Sequence, residues 1–150
     1  MKIILASDHG GFELKEQIKS FLTGQGFNIE DVGTHTTSSV DYPVVIKSAI
    51  PKILANKQNR GIFVCGTGLG VSIMANRTKG IRAAVVHSEP YAQLCRSHND
   101  ANVLCLGGRF LSFDEAKTLI NIFFETPFMG DQHLRRVTML DNNWQLIGNR

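Results

Sequence analysis

The run Cys65-Gly66-Thr67-Gly68-Leu69-Gly70-Val71-Ser72 places a thiol at the mouth of a loop with glycine at every second position. Glycines so spaced let the backbone turn and leave bare N–H groups, a cradle for an oxyanion or a phosphate. The dinucleotide fingerprint would need glycine where Val71 stands, and a P-loop would need a Lys-Ser/Thr pair that is missing. A tight strand-to-helix turn would use the same glycines. Cys65 could be a base or nucleophile, because a helix start favours the thiolate, or a buried cysteine acting as a small hydrophobe. Cys95 and Cys105 fall within helix-like and strand-like runs and read as core.

Further polar groups could share such chemistry. In Ser7-Asp8-His9-Gly10-Gly11, Asp8 could handle a hydroxyl proton and His9 could bind an anion or transfer a proton. An N-cap Asp beside a surface His is the other reading. The stretch His98-Asn99-Asp100-Ala101-Asn102 suits a helix end or Asx-turn, and also a sugar site, whose hydroxyls need paired donors and acceptors. Arg135-Arg136, with Gln132 and His133 one turn earlier, could meet a phosphate or simply be a solvated face. With no Cys-x-x-Cys and no His-Glu-x-x-His, no metal site is expected.

These groups need a scaffold, and strand-like and helix-like runs alternate along the chain. Strands are expected at 2–7, 27–32, 61–65, 82–87 and 102–106. Leu14, Ile18, Phe21 and Leu22 form a helical stripe ended by Gly24 and Gly26, with Lys15, Glu16 and Lys19 off it. Asp41 reads as the N-cap of a helix from about 42 to 56, which Pro51 should kink or split. A short helix follows the glycine loop to about Arg77. Ser88 caps another to about Ser97. Ser112 and Glu115 have capping-box form, and 131–140 read as a last helix. Five strands alternating with helices predict a parallel sheet covered on both faces. Ligands then bind beyond the strands' carboxyl ends, which directs attention to Ser7–Gly11, Cys65–Gly70, His87–Ser88 and Gly107–Arg109.

The 150 residues suit one domain, 1–150. At 43% hydrophobic and 19% charged the chain can build a core, which excludes disorder. A net charge of +3 is too mild to imply nucleic acid. No apolar run approaches a bilayer span, and Asp8 makes the start acidic too early for a signal peptide. Three widely spaced cysteines argue against a disulfide framework and fit a cytoplasmic protein.

Taken together, Ser7–Gly11, Asp41-Tyr42-Pro43, Cys65–Gly70, Gly80–Ala83, Ser88–Tyr91 and Arg96–Asn102 resemble, in this order and across nearly the whole chain, the ribose-5-phosphate isomerase type B family. That family also holds allose-6-phosphate and galactose-6-phosphate isomerases. The resemblance implies a three-layer α/β/α, Rossmann-like fold and a homodimer or homotetramer with sites at the subunit interface. It implies a sugar-phosphate substrate, no cofactor and no metal. The reaction it implies interconverts ribose 5-phosphate and ribulose 5-phosphate through a cis-enediolate. By resemblance Cys65 is the base, since Leu69, Val71, Ser72 and Ile73 provide no carboxylate of the kind other members use. The amides of Gly66, Gly68, Leu69 and Gly70 form the anion hole, and His98 with Thr67 opens the furanose ring. Asp8, Tyr42 and Asn99 contact the sugar. His9, Arg109 and Arg136 match phosphate positions, whereas Gln132 stands where many members carry Arg. An isomerase of a six-carbon sugar phosphate is the alternative, and a non-catalytic nucleotide- or phosphate-binding module is a third.

Overall fold

The computed structural model describes residues 1–142. Strands β1 (Ile3–Ser7), β2 (Ile29–Asp31), β3 (Arg60–Cys65), β4 (Ala83–Val85) and β5 (Val103–Gly107) form one parallel sheet in the order β2-β1-β3-β5-β4. Helices α1 (Phe12–Gly24), α2 (Tyr42–Leu54), α3 (Leu69–Ala75), α4 (Glu89–Ser97), α5 (Phe113–Glu125) and α6 (Asp131–Asn142) complete it. The edge strands β2 and β4 are three residues each, shorter than the runs expected at 27–32 and 82–87. Central β1 and β5 are buried along their whole length, because helices cover both faces.

Side chains alternate along a strand, and that parity sorts the core into two layers. Ile3, Leu5, Ile62, Val64, Leu104 and Leu106 pack with Leu14, Ile18, Ile120 and Phe123 on the α1/α4/α5 side. Ile4, Ala6, Phe63, Cys65, Val103 and Cys105 pack with Ile46, Ile50, Val71 and Ala75 on the α2/α3 side. Cys95 and Cys105 are core, as expected. Burial pushes the Cys95 thiol up to about 11 and that of Cys105 well above the ordinary range.

Two local expectations, at Pro51 and Lys15, are corrected, and two, at Asp41 and Ser88, hold in position only. Helix α2 runs uninterrupted through Pro51. The proline sits near its last turn and removes a single backbone bond, while Val45, Ile46, Ala49, Ile50 and Ile53 keep one buried stripe along its length. Asp41 and Ser88 stand at N-cap positions, but neither side chain makes a capping bond. The Ser112–Glu115 capping box does form. Lys15, off the apolar stripe, is wholly buried. Its ammonium lies 2.7 Å from Asp31 and 2.6 Å from Glu16, so pairing offsets the cost of burying the charge.

Candidate active site

The sheet brings three strand ends together at its carboxyl edge. Ser7 pairs with Val64 and Cys65 with Gly107, so Asp8, Gly66 and Gly108 leave the sheet side by side. Main-chain bonds lock the loops, with the N–H of Gly108 donating to Cys65 O (2.8 Å) and that of Arg109 to Gly66 O (3.1 Å). The loops approach too closely for side chains. A Cβ on Gly107 would stand 2.9 Å from Thr67 O, and Gly68 holds φ +82, a conformation suited to glycine.

Cys65 is 4% exposed at this edge. Its Sγ accepts a hydrogen bond from the Gly68 N–H at 3.1 Å. The Leu69 N–H donates to Thr67 Oγ1 at 3.2 Å. Two of the four amides expected in the anion hole are therefore engaged within the loop. The N–H groups of Gly66, Thr67, Gly70 and Val71 have no protein acceptor among the described residues, so the open donors are not quite the set the sequence suggested. Around them stand the other groups. Asp8 Oδ1 caps the 3-10 turn at His9–Gly11 by accepting from Gly11 N–H (3.1 Å), which leaves its second oxygen for a ligand. His9 Nδ1 accepts from Val40 N–H (3.3 Å), so in the neutral ring the hydrogen sits on Nε2. The Tyr42 ring lies against Gly70, where an added Cβ would be 2.8 Å from Cζ. The exposed Arg109 guanidinium carbon would be 3.1 Å from a Cβ on Gly66.

His98, Asn99, Gln132 and Arg136 are elsewhere. Helix α4 returns from the carboxyl end of β4 to the amino end of β5, and His98 caps it there. Asn102 O accepts from Gly61 N–H at 2.9 Å. That point is four residues of β3 before Cys65, or ~13 Å along the strand, and His98 lies beyond it. The N–H of Met129 donates to Ser97 O at 3.0 Å and docks the start of α6 at this turn. His133 on α6 stacks on His98, with ring centres 4.1 Å apart and planes 11° apart. His98, Asn99, His133, Arg136, Val137 and Leu140 line a hollow of about 310 Å³. Gln132 and Arg136 lie one turn apart on the exposed face of α6, while His133 and Val137 are buried.

The candidate residues of one chain thus form two groups, two candidate half-sites, at opposite ends of its sheet. The carboxyl-edge half carries Asp8, His9, Tyr42, Cys65–Gly70 and Arg109. The amino-edge half carries His98, Asn99, Gln132 and Arg136. Sequence reasoning gave His133 no role, although stacking makes it the nearest support of His98. Among the described residues no three His, Cys, Asp or Glu side chains cluster so as to hold a metal ion, and no helix is long and apolar enough to cross a membrane.

A family model described as Ribose/Galactose Isomerase matches residues 3–140. Ribose-5-phosphate isomerase B of Escherichia coli strain K12 is 41% identical over 137 residues, spanning 91% of each chain. The crystal structure of a ribose 5-phosphate isomerase from Thermotoga maritima is similar at a TM-score of 0.91 and 48% identity, covering 94% of this chain and 97% of that one. Ribose-5-phosphate isomerase B of Mycoplasma genitalium, solved with bound ribulose-5-phosphate, gives a TM-score of 0.90 at 37% identity, covering 99% of this chain and 97% of that one.

Proposed function

This chain belongs to the ribose/galactose isomerase family, and on that premise we propose that it interconverts ribose 5-phosphate and ribulose 5-phosphate, with Cys65 as the base. The carrying observation is that Cys65 Sγ and a set of uncommitted amides share one loop. A proton beside a sugar carbonyl is only weakly acidic, so a base alone is insufficient. The oxyanion that forms must meet preset donors, each worth roughly 3–4 kcal/mol.

His98 with Thr67 opens the furanose. The Cys65 thiolate takes the C2 proton of the open aldose, and the electron pair moves to O1 as the enediolate forms. The amides of Gly66 and Gly70 hold that charge. The free oxygen of Asp8 carries the hydroxyl proton from O2 to O1, and the Cys65 thiol returns its proton to C1 to give the ketose. Tyr42 and Asn99 bind sugar hydroxyls. His9, Arg109, Arg136 and the uncharged Gln132 bind the phosphate.

The separation of the half-sites supports a second copy as the partner, so that His98, Asn99, Gln132 and Arg136 of one chain face the Cys65 loop of the other. Exposed apolar side chains flank both halves. Leu69 and Ile73 on α3 are 56% and 62% exposed, and Leu134 and Leu140 on α6 are 54% and 58% exposed. Apolar surface placed beside incomplete sites suits an isologous pairing. A charged substrate and three free thiols, which suit a reducing setting, support a cytoplasmic location.

The test is Cys65→Ala assayed on ribose 5-phosphate, with circular dichroism to verify the fold. A loss of about 10²–10⁴ in turnover is expected for a removed general base. Near wild-type turnover would reject Cys65 as the base. A panel including allose and galactose 6-phosphates should show a clear preference for the pentose. Preference for a hexose would assign the six-carbon reading.

A further inference from the structure

Of the sequence markers Gly80–Ala83 and Arg96–Asn102 the chemistry above uses only His98 and Asn99, yet the structure joins the two segments into one network. Asp100 adopts φ +46, a left-handed conformation uncommon for a residue with a side chain and best tolerated by Asn and Asp. Its carboxylate is gripped from two sides. Arg96 Nη1 donates to Oδ1 at 2.7 Å, and Arg82 Nη2 donates to Oδ2 at 3.0 Å. Each arginine also holds the adjoining main chain. Arg82 Nε donates to Asp100 O at 2.9 Å, and Arg96 Nη1 donates to Ala101 O at 2.7 Å.

Asn102 closes the network. Its Oδ1 accepts from Arg82 N–H at 2.8 Å, and its Nδ2 donates to Gly80 O at 2.7 Å. Arg82 reaches a second carboxylate, Asp141, only at 3.5 Å. A third cation lies close by. Arg60 is held below its ordinary range by burial and then by Arg96 and Arg82, with Asp100 opposing. The cluster therefore carries surplus positive charge that Asp100 offsets. The segment so fixed begins one residue after Asn99 and two after His98.

We propose that Asp100 is a positioning residue, clamped by Arg82 and Arg96 so that the left-handed turn presents His98 to the substrate in one orientation. The proposal rests on the ring-opening reading of His98 given above. Each arginine thus anchors two atoms of Asp100–Ala101, which leaves the backbone of the turn little freedom. Stacking on His133 then fixes the plane of the His98 ring. Without the carboxylate, Arg82, Arg96 and Arg60 would face one another, and the turn would relax away from this geometry.

Ring opening can be separated from proton transfer by experiment. Ribose 5-phosphate is largely a closed furanose and must be opened. Ribulose 5-phosphate is open-chain, and deuterium wash-in at its C1 from D₂O needs only the Cys65 half of the reaction. Both readouts are taken on Asp100→Asn, on Asp100→Gly (which also relieves the left-handed strain), and on His98→Asn as reference. Asp100→Asn and Asp100→Gly should lose ~10–100-fold in isomerisation, the scale set by misplacing a catalytic group by an ångström or so, while wash-in stays within about threefold. Arg82→Lys keeps the charge but not the two-point grip. It should split the readouts in the same direction by less, and it carries the test if the Asp100 variants do not fold.

Asp100 variants that isomerise within twofold of wild type would overturn the proposal. So would equal loss of both activities in a folded protein, which marks a purely structural role. A His98→Asn variant that fails to split the readouts overturns the ring-opening reading and the purpose of the clamp with it. A splitting His98→Asn beside an unsplit Asp100→Asn overturns the clamp alone.

Discussion

The two half-sites are built from different materials. At the carboxyl edge the backbone does the positioning. Main-chain bonds tie Cys65, Gly66 and Gly108–Arg109 together, and glycines allow contacts that a Cβ would block. At the amino edge charged side chains and a ring stack hold His98 and Asn99. Base and anion donors must sit within tenths of an ångström of the reacting carbons, and a closed backbone lattice offers few ways to move. A turn held by ion pairs answers to charge and pH. One half should therefore fail through sterics and the other through electrostatics.

The largest effect comes from mixing the halves. Cys65→Ala and His98→Asn proteins, each nearly inactive, should regain activity when unfolded together and refolded. If each site draws on two chains, half of the resulting dimers contain one intact site, so about a quarter of wild-type sites return. No recovery in a mixture shown to contain heterodimers would place both halves of the site on one chain.

Gly70→Ala probes the lattice. Its Cβ would stand 2.8 Å from the Tyr42 ring, so the ring or the loop must move. We expect about 10²-fold loss in kcat/KM and deuterium wash-in to fall in parallel, unlike the split expected for Asp100 variants. A split at Gly70→Ala would blur the distinction between the halves.

Acid should loosen the halves in order. Burial, then the neighbouring His98 and Arg136, holds His133 below its ordinary 6.5. The unfolded chain takes up that proton first, so this contribution is whole above about 6.5 and wanes as pH falls below it. Asp31 behaves differently. Burial disfavours its ionised form, but hydrogen bonds from Lys15, Lys19 and the Gly33 N–H outweigh that and hold it below 3.8. Its contribution is whole above 3.8 and disappears only as pH falls through the lower folded value. Asp31 accepts from Gly33 N–H, and Gly33 O accepts from Ser7 N–H, so this network braces the carboxyl edge. Hydrogen exchange across a pH series should show amides of α6 losing protection before those of β1 and β2. The reverse order would contradict the assignment.

Much of this was legible in the residues. Short continuous apolar runs gave the five strands, and helical stripes with capping signals gave the helices between them. Pro51 misled because a missing bond near a helix end costs less than the buried stripe of α2 returns. Lys15 misled because the acidic partner that permits its burial, Asp31, comes from a strand sixteen positions away. The Arg96–Asp100 spacing is an i,i+4 signal, but nothing local announces that Arg82 joins it.

By itself the sequence determined which residues could act. A thiol with alternating glycines, an Asp-His pair, a His-Asn turn and a basic last helix are matters of residue type, and type dictates chemistry. Only the tertiary structure decided which of them meet. Parallel strands need crossover helices, and each crossover carries the chain from the carboxyl edge back to the amino edge. That topology puts Asp8, Cys65 and Arg109 together and sends His98 and Asn99 to the far end of the sheet.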